Sequence, residues 1–114
     1  MPEVVEPYRI AVPDAVLAEL RERLLRTRWP RSFTGRPWER GTNPDFLRRL
    51  VDHWAHGYDW RAWEARLNRV EQRRVTLDGL GIHVFVERGD GPDPLPVILT
   101  HGWPGSAVEL FEMI

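Results

Sequence analysis

Hydrophobic positions recur at helical spacing through the first seventy residues and then switch to short apolar runs separated by turn residues. Pro7-Tyr8-Arg9-Ile10 reads as extended chain. Pro13-Asp14 opens a first helix, because proline is tolerated in the first turn and an acid there suits the macrodipole. Val16, Leu17, Leu20, Leu24 and Leu25 form its apolar stripe, and the helix is expected to end near Arg28, since Trp29 precedes Pro30. Residues 31–42 read as a loop with Phe33 and Trp38 as isolated anchors. Asn43-Pro44-Asp45 is a second helix start, with Phe46, Leu47, Leu50, Val51 and Trp54 as the expected buried face and Gly57 as a left-handed cap. Asp59 is placed to cap a third helix, on which Trp60, Trp63, Leu67 and Val70 share one side.

After these helices the pattern suits strands. Arg74 to Leu77 and Ile82 to Glu87 read as an antiparallel pair joined by an Asp78-Gly79 turn. Gly89 to Pro94 is a loop, and Leu95 to Thr100 reads as a third, buried strand. That strand runs into a glycine- and proline-bearing turn, and Ser106-Ala107-Val108-Glu109 then has the S-x-x-E pattern of a helix capping box. The expected class is α/β, with a helical meander over residues 1–72 and the first strands of a sheet over residues 73–114.

Composition narrows the chemistry more than the fold. The 114 residues are long enough for one small domain, and six tryptophans with 42% hydrophobic residues argue against disorder. All sixteen basic residues are arginine, yet the net charge is −1 and the arginines alternate with acids, so no nucleic-acid partner is expected. The absence of cysteine removes disulfides and thiolate chemistry. The first ten residues lack the pattern of a leader peptide and no apolar run is long enough to cross a membrane, so the expected address is cytoplasmic. His53 and His56 have metal-ligand spacing without an evident third ligand, and no metal is expected. Asp45, Asp52, Glu64 and Glu71 fit helix termini and solvated faces better than a paired-carboxylate site. Trp54, Trp60 and Trp63 fit helix packing better than a ligand pocket.

The most chemically specific stretch is His101-Gly102-Trp103-Pro104-Gly105. Gly102 and Gly105 are expected to use backbone angles closed to other residues, and Pro104 suits a cis peptide bond. Such a turn between strand and helix presents backbone N–H groups to a developing negative charge. Trp103 would offer its N–H to an oxyanion and its indole as the wall of an apolar pocket. The competing reading is an ordinary tight turn.

These residues, with Arg26-Thr27-Arg28-Trp29-Pro30, Gly41-Thr42-Asn43, His53-Trp54, Tyr58-Asp59-Trp60-Arg61, Glu64, Leu67-Asn68, Gln72 and Asp78-Gly79-Leu80, resemble the N-terminal region of the microsomal-type epoxide hydrolases over nearly the whole chain. The resemblance implies a helical meander that wraps an α/β-hydrolase core, then the core's first strands and its oxyanion loop. It also implies a cofactor-free reaction. In it an aspartate opens an apolar epoxide to form an ester, and water activated by a His–carboxylate pair hydrolyses that ester to release a diol. Of that machinery only the oxyanion loop maps here, onto His101, Gly102, Trp103 and Pro104, with Trp103 as the N–H donor. The G-x-D-x-G nucleophile elbow, the catalytic base and the cap tyrosines have no counterpart, and Tyr8 and Tyr58 lie too early to be the latter. The mammalian members' N-terminal membrane anchor is missing too, which suits a soluble bacterial-type relative. The chain alone is therefore expected to be inactive, marginally stable and prone to associate through an unpaired sheet edge, its natural partner being the remaining hydrolase core. An alternative is a non-enzymatic domain that binds a separately encoded core. A third is another α/β-hydrolase, such as an esterase or dehalogenase, which would differ at the elbow.

Overall fold

The computed structural model describes residues 4–30 and 36–113, so the Phe33 anchor lies outside the described residues. The chain divides into two compact units, one of residues 11–63 and one of residues 1–10 with 64–114.

The first unit is helical. Helix α1 spans Asp14–Leu25, with the Pro13 carbonyl accepting the Val16 and Leu17 N–H groups at its start. It stops short of the expected Arg28 because the Thr27 hydroxyl takes the Leu24 carbonyl at 2.7 Å, which closes the last turn from the side. Glu19–Arg23 and Glu22–Arg26 are ion pairs one turn apart on the solvent face. Helix α2 spans Pro44–His56, and its start follows the sequence pattern closely. Asn43 Oδ1 accepts from the N–H groups of Asp45 (2.8 Å) and Phe46 (3.3 Å), and Pro44 fills the first helical position. Its end does not: Gly57 has φ −114° and ψ −13°, not a left-handed cap. A Cβ there would stand 2.8 Å from the His53 ring, which would have to shift to make room for it. The Gly57 and Tyr58 N–H groups share the His53 carbonyl at 2.7 and 2.9 Å.

Helix α3, Trp60–Leu67, begins where Asp59 Oδ1 accepts the Ala62 N–H at 3.0 Å, as its sequence suggests. An Arg61–Asp14 ion pair ties its first turn to the start of α1. The expected buried face of α2 is only partly covered. Leu47 and Val51 are half-buried and Ala55 is buried, but Phe46, Leu50 and Trp54 stay exposed. Trp38 holds a positive φ of 69° and packs on Phe46 with ring centroids 5.2 Å apart, the anchoring contact its isolation suggests.

The second unit is built on a three-stranded antiparallel sheet in the order β1-β2-β3. Its strands are β1 (Val4–Pro7), β2 (Glu71–Leu77) and β3 (Leu80–Val86). Asp78 (φ 48°) and Gly79 (φ 82°) make the two-residue turn that sets Leu77 opposite Leu80 and Val75 opposite Ile82. Strand β2 begins three residues before the expected Arg74, because it is paired on both sides, Arg73 with Pro7 and Glu71 with Val86. Strand β1 precedes the stretch read as extended. The chain then continues alongside, with the Tyr8 N–H on the Gln72 carbonyl at 2.9 Å.

Leu95 to Thr100 is a correction: it forms no ladder with any described residue, and Ile98 is 90% exposed. An apolar run has the composition of a strand, but a strand exists only where a neighbour takes its backbone groups. The helix expected after Ser106 is likewise a single 3₁₀ turn, Ala107–Leu110. Among the described residues the buried set is small: Ala55, Leu67 and Gln72, with no large side chain fully enclosed.

Candidate functional site

The turn that follows residues 95–100 is held by one short bond, from the Gly105 N–H to the Gly102 carbonyl at 2.7 Å. The Trp103–Pro104 peptide is cis, which places Pro104 at the third position of a type VI turn and agrees with the expectation from its sequence. The two glycines act differently from their expected role, since neither takes a positive φ; Gly41, Gly79 and Gly91 do. Open space surrounds the Gly102 α-carbon, with no atom within 4 Å of a would-be Cβ, while the Glu109 carboxyl occupies that place beside Gly105.

Trp103 is 97% exposed, and no hydrogen bond among the described residues engages its N–H. His101 Nδ1 lies 3.2 Å from the Gly102 carbonyl, a local contact that orients the ring along the turn. Ser106 is extended and its Oγ accepts the Val108 N–H at 3.3 Å. The capping box is thus half made: the Glu109 carboxyl rests against Gly105 instead of closing the reciprocal bond, and the Glu109 N–H goes to the Ser106 carbonyl at 3.1 Å. His101, Gly102, Trp103 and Pro104 therefore lie together on an exposed loop, and among the described residues no hydrogen bond engages the backbone N–H groups of His101, Gly102 or Trp103. Chemically, such an N–H can donate to a negatively charged acceptor without first breaking a bond.

Elsewhere in the same unit the structure shows a polar network that the residue pattern had not revealed. Asn68 pairs with the Ile10 backbone as a strand would, its Oδ1 accepting the Ile10 N–H at 3.0 Å and its Nδ2 donating to the Ile10 carbonyl at 2.8 Å. Gln72, which is 5% exposed, donates from Nε2 to Asn68 Oδ1 and to the Leu67 carbonyl, both at 3.0 Å. Its Oε1 accepts from His83 Nε2 at 2.9 Å, which assigns the proton to that ring nitrogen. The His83 ring stacks between Tyr8 (4.7 Å) and Phe85 (4.6 Å). Desolvation among these groups lowers the His83 pKa from its usual 6.5. Asn68 and Gln72 stand out in sequence only as residues shared with a family pattern, and His83 sits unmarked inside a strand.

The helical unit holds an apolar groove of about 880 Å³, lined by Val16, Leu20, Leu50, Trp54, Tyr58 and Trp60 among others. Trp54 and Trp60 thus wall a groove instead of packing into a core. His56 is engaged with Asp52 of its own helix, Nδ1 to Oδ1 at 3.1 Å, and Asp45 pairs with Arg48 at 3.1 Å. Glu71 pairs with Arg73. Asp45 and Glu71 thus lie in exposed ion pairs, and no grouping of three potential metal ligands occurs among the described residues.

Comparison with known proteins bears on what such a turn does. Residues 5–110 match the family described as epoxide hydrolase N terminus. A Stigmatella aurantiaca protein that carries the epoxide hydrolase name is 46% identical over 110 residues, covering 96% of this chain and 25% of its own length. Juvenile hormone epoxide hydrolase 2 of Ctenocephalides felis is 34% identical over 113 residues, with 96% and 24% coverage. Among solved structures, Aspergillus niger epoxide hydrolase superposes with a TM-score of 0.86 at 28% identity, covering 96% of this chain and 29% of that one. The chain thus spans about a quarter of the length of the curated relatives it matches.

Proposed function

The chain belongs to the epoxide hydrolase N-terminal family, and on that premise we propose that it supplies the oxyanion turn of an enzyme that opens apolar epoxides to diols. The observation that carries the reading is the Trp103 N–H, which belongs to an exposed residue and makes no hydrogen bond among the described residues. In the proposed reaction an aspartate carboxylate outside these residues attacks an epoxide carbon and forms an alkyl ester. The attack breaks the bond from that carbon to the ring oxygen, which takes a proton from a donor outside these residues. Water then adds to the ester carbonyl, and charge develops on the carbonyl oxygen. The Trp103 N–H stabilises that oxyanion, with His101, Gly102 and Pro104 setting the direction of the donor. The tetrahedral intermediate then collapses by releasing the diol and restoring the free carboxylate. The chemistry draws on carboxylate, imidazole and backbone groups, with neither metal nor organic cofactor.

A chimera tests this reading. Residues 1–114 replace the matching segment of the Stigmatella aurantiaca relative, and conversion of an apolar epoxide such as styrene oxide to its diol is followed. Diol formation by the chimera, with none by this chain alone, is the expected result. A folded chimera that forms no diol while the unaltered relative does would sink the proposal. A second reading, a non-reacting domain that pairs with a separate hydrolase core, is favoured by one observation, the exposure of Leu95, Val97 and Ile98 on one apolar run. Neither reading involves a membrane anchor in the described residues, where no helix is long and apolar enough to cross a bilayer.

A further inference from the structure

The Trp103 turn has no purchase on the sheet from its upstream side. Every residue from 87 to 104 is exposed, and none of them joins a ladder with the described residues. Partial burial returns at the last residue of the turn, Gly105, and beyond it at Ala107, Leu110 and Phe111. Phe111 meets β3 directly: its ring stands edge-on to Phe85, with centroids 4.9 Å apart and planes at 86°. Phe85 is itself fixed by the stack that runs through His83 to Tyr8. The neighbouring Glu112 adds an exposed pair with Arg66 at 3.6 Å, which contributes little by itself.

From Phe111 back to Trp103 the chain is linked by consecutive short-range bonds. The Phe111 N–H goes to the Val108 carbonyl (3.2 Å), the Glu109 N–H to the Ser106 carbonyl (3.1 Å), and the Gly105 N–H to the Gly102 carbonyl (2.7 Å). The Ser106 hydroxyl accepts the Val108 N–H between them. The contact that crosses from this 3₁₀ turn to the Trp103 turn is the Glu109 carboxyl, which rests against Gly105.

We propose that Phe111, through its edge-to-face contact with Phe85, is the positioning residue that seats the Trp103 turn on the sheet. The catalytic meaning of that placement rests on the oxyanion reading, whereas the placement itself does not. Edge-to-face aromatic pairs contribute beyond the area they bury, and losing one is felt by the segment it anchors.

Amide hydrogen exchange on the 114-residue chain tests the claim, with Gly105 reporting the turn and the amides of the β2–β3 hairpin reporting the sheet. Phe111→Leu is expected to speed Gly105 exchange about threefold to tenfold and leave the hairpin unchanged. Phe111→Tyr, which keeps the ring, restores protection. Phe85→Leu reproduces the loss, and the double variant goes no further than either single one. Unchanged Gly105 exchange in Phe111→Leu overturns the proposal, as does an equal rise in the hairpin amides, which would mark a merely structural residue. In the chimera, Phe111→Leu with faster Gly105 exchange and undiminished diol formation would remove the oxyanion reading and leave the placement standing. Unchanged Gly105 exchange removes the placement whatever the turnover.

Discussion

Asn68 does for the N-terminal segment what a neighbouring strand would do, through one side chain that both accepts from and donates to Ile10. Asn68→Ala leaves the Ile10 groups and one Gln72 proton without partners, and is expected to cost roughly 1–3 kcal/mol in a urea titration. Asn68→Asp should be nearly as costly, because the carboxylate cannot donate to the Ile10 carbonyl. His83, one bond further along the network, makes stability depend on pH. Its folded pKa lies below the 6.5 of the unfolded chain, so below about pH 6.5 the unfolded state binds more protons. Its contribution is complete above pH 6.5 and is lost as pH falls through the depressed folded value. The urea midpoint should therefore drop on acidification through this window, and the drop should shrink in His83→Gln. An equal drop in that variant would assign the effect elsewhere. None of this is legible from local pattern, because a polar side chain at a helix end and a histidine in a strand both read as solvated surface until a partner far along the chain meets them.

At the scale of elements, legibility follows how local the cause is. Asn43-Pro44-Asp45 and Asp78-Gly79 specify a helix start and a hairpin turn by chemistry contained within a few residues, and both appear where the sequence places them. Asn43→Ala should cost about 1 kcal/mol by removing both side-chain bonds to the first turn of α2. Gly79→Ala should cost about 1 kcal/mol through its positive φ, although nothing crowds the site. Urea midpoints for the two variants check both values. The Gly57 end of α2 misleads because two causes select the same residue, φ freedom and room for the His53 ring, and only coordinates tell them apart. Leu95 to Thr100 misleads for the opposite reason. Its apolar run states a preference for burial, while its structure depends on ladder partners that the described residues do not provide. The Trp103 turn stands between these cases: the cis Trp103–Pro104 bond agrees with its sequence, whereas the Trp103 indole, expected to wall an apolar pocket, is exposed, and the manner in which Phe111 holds the turn does not show in the motif.

For the whole molecule, the distribution of apolar surface governs behaviour. Among the described residues, Leu95, Val97, Ile98 and Trp103 in one unit and Phe46, Leu50 and Trp54 in the other are exposed, against a buried set of three. Hydrophobic burial is the main favourable term in folding, so this chain alone should be marginally stable, unfolding at low urea, and should associate as its concentration rises. A high urea midpoint that does not depend on concentration would contradict that expectation. The relatives that the chain matches are about four times as long. The central claim concerns a single backbone N–H, and the most direct measurement replaces it alone. Indole-3-lactate in place of Trp103 in the chimera keeps the side chain and exchanges the N–H for an ester oxygen. If that N–H binds the oxyanion, ester hydrolysis should slow by about 10²–10³-fold, and intact-protein mass should show the enzyme carrying one added substrate. Unaltered turnover, with no mass increase, would show that the Trp103 N–H takes no part.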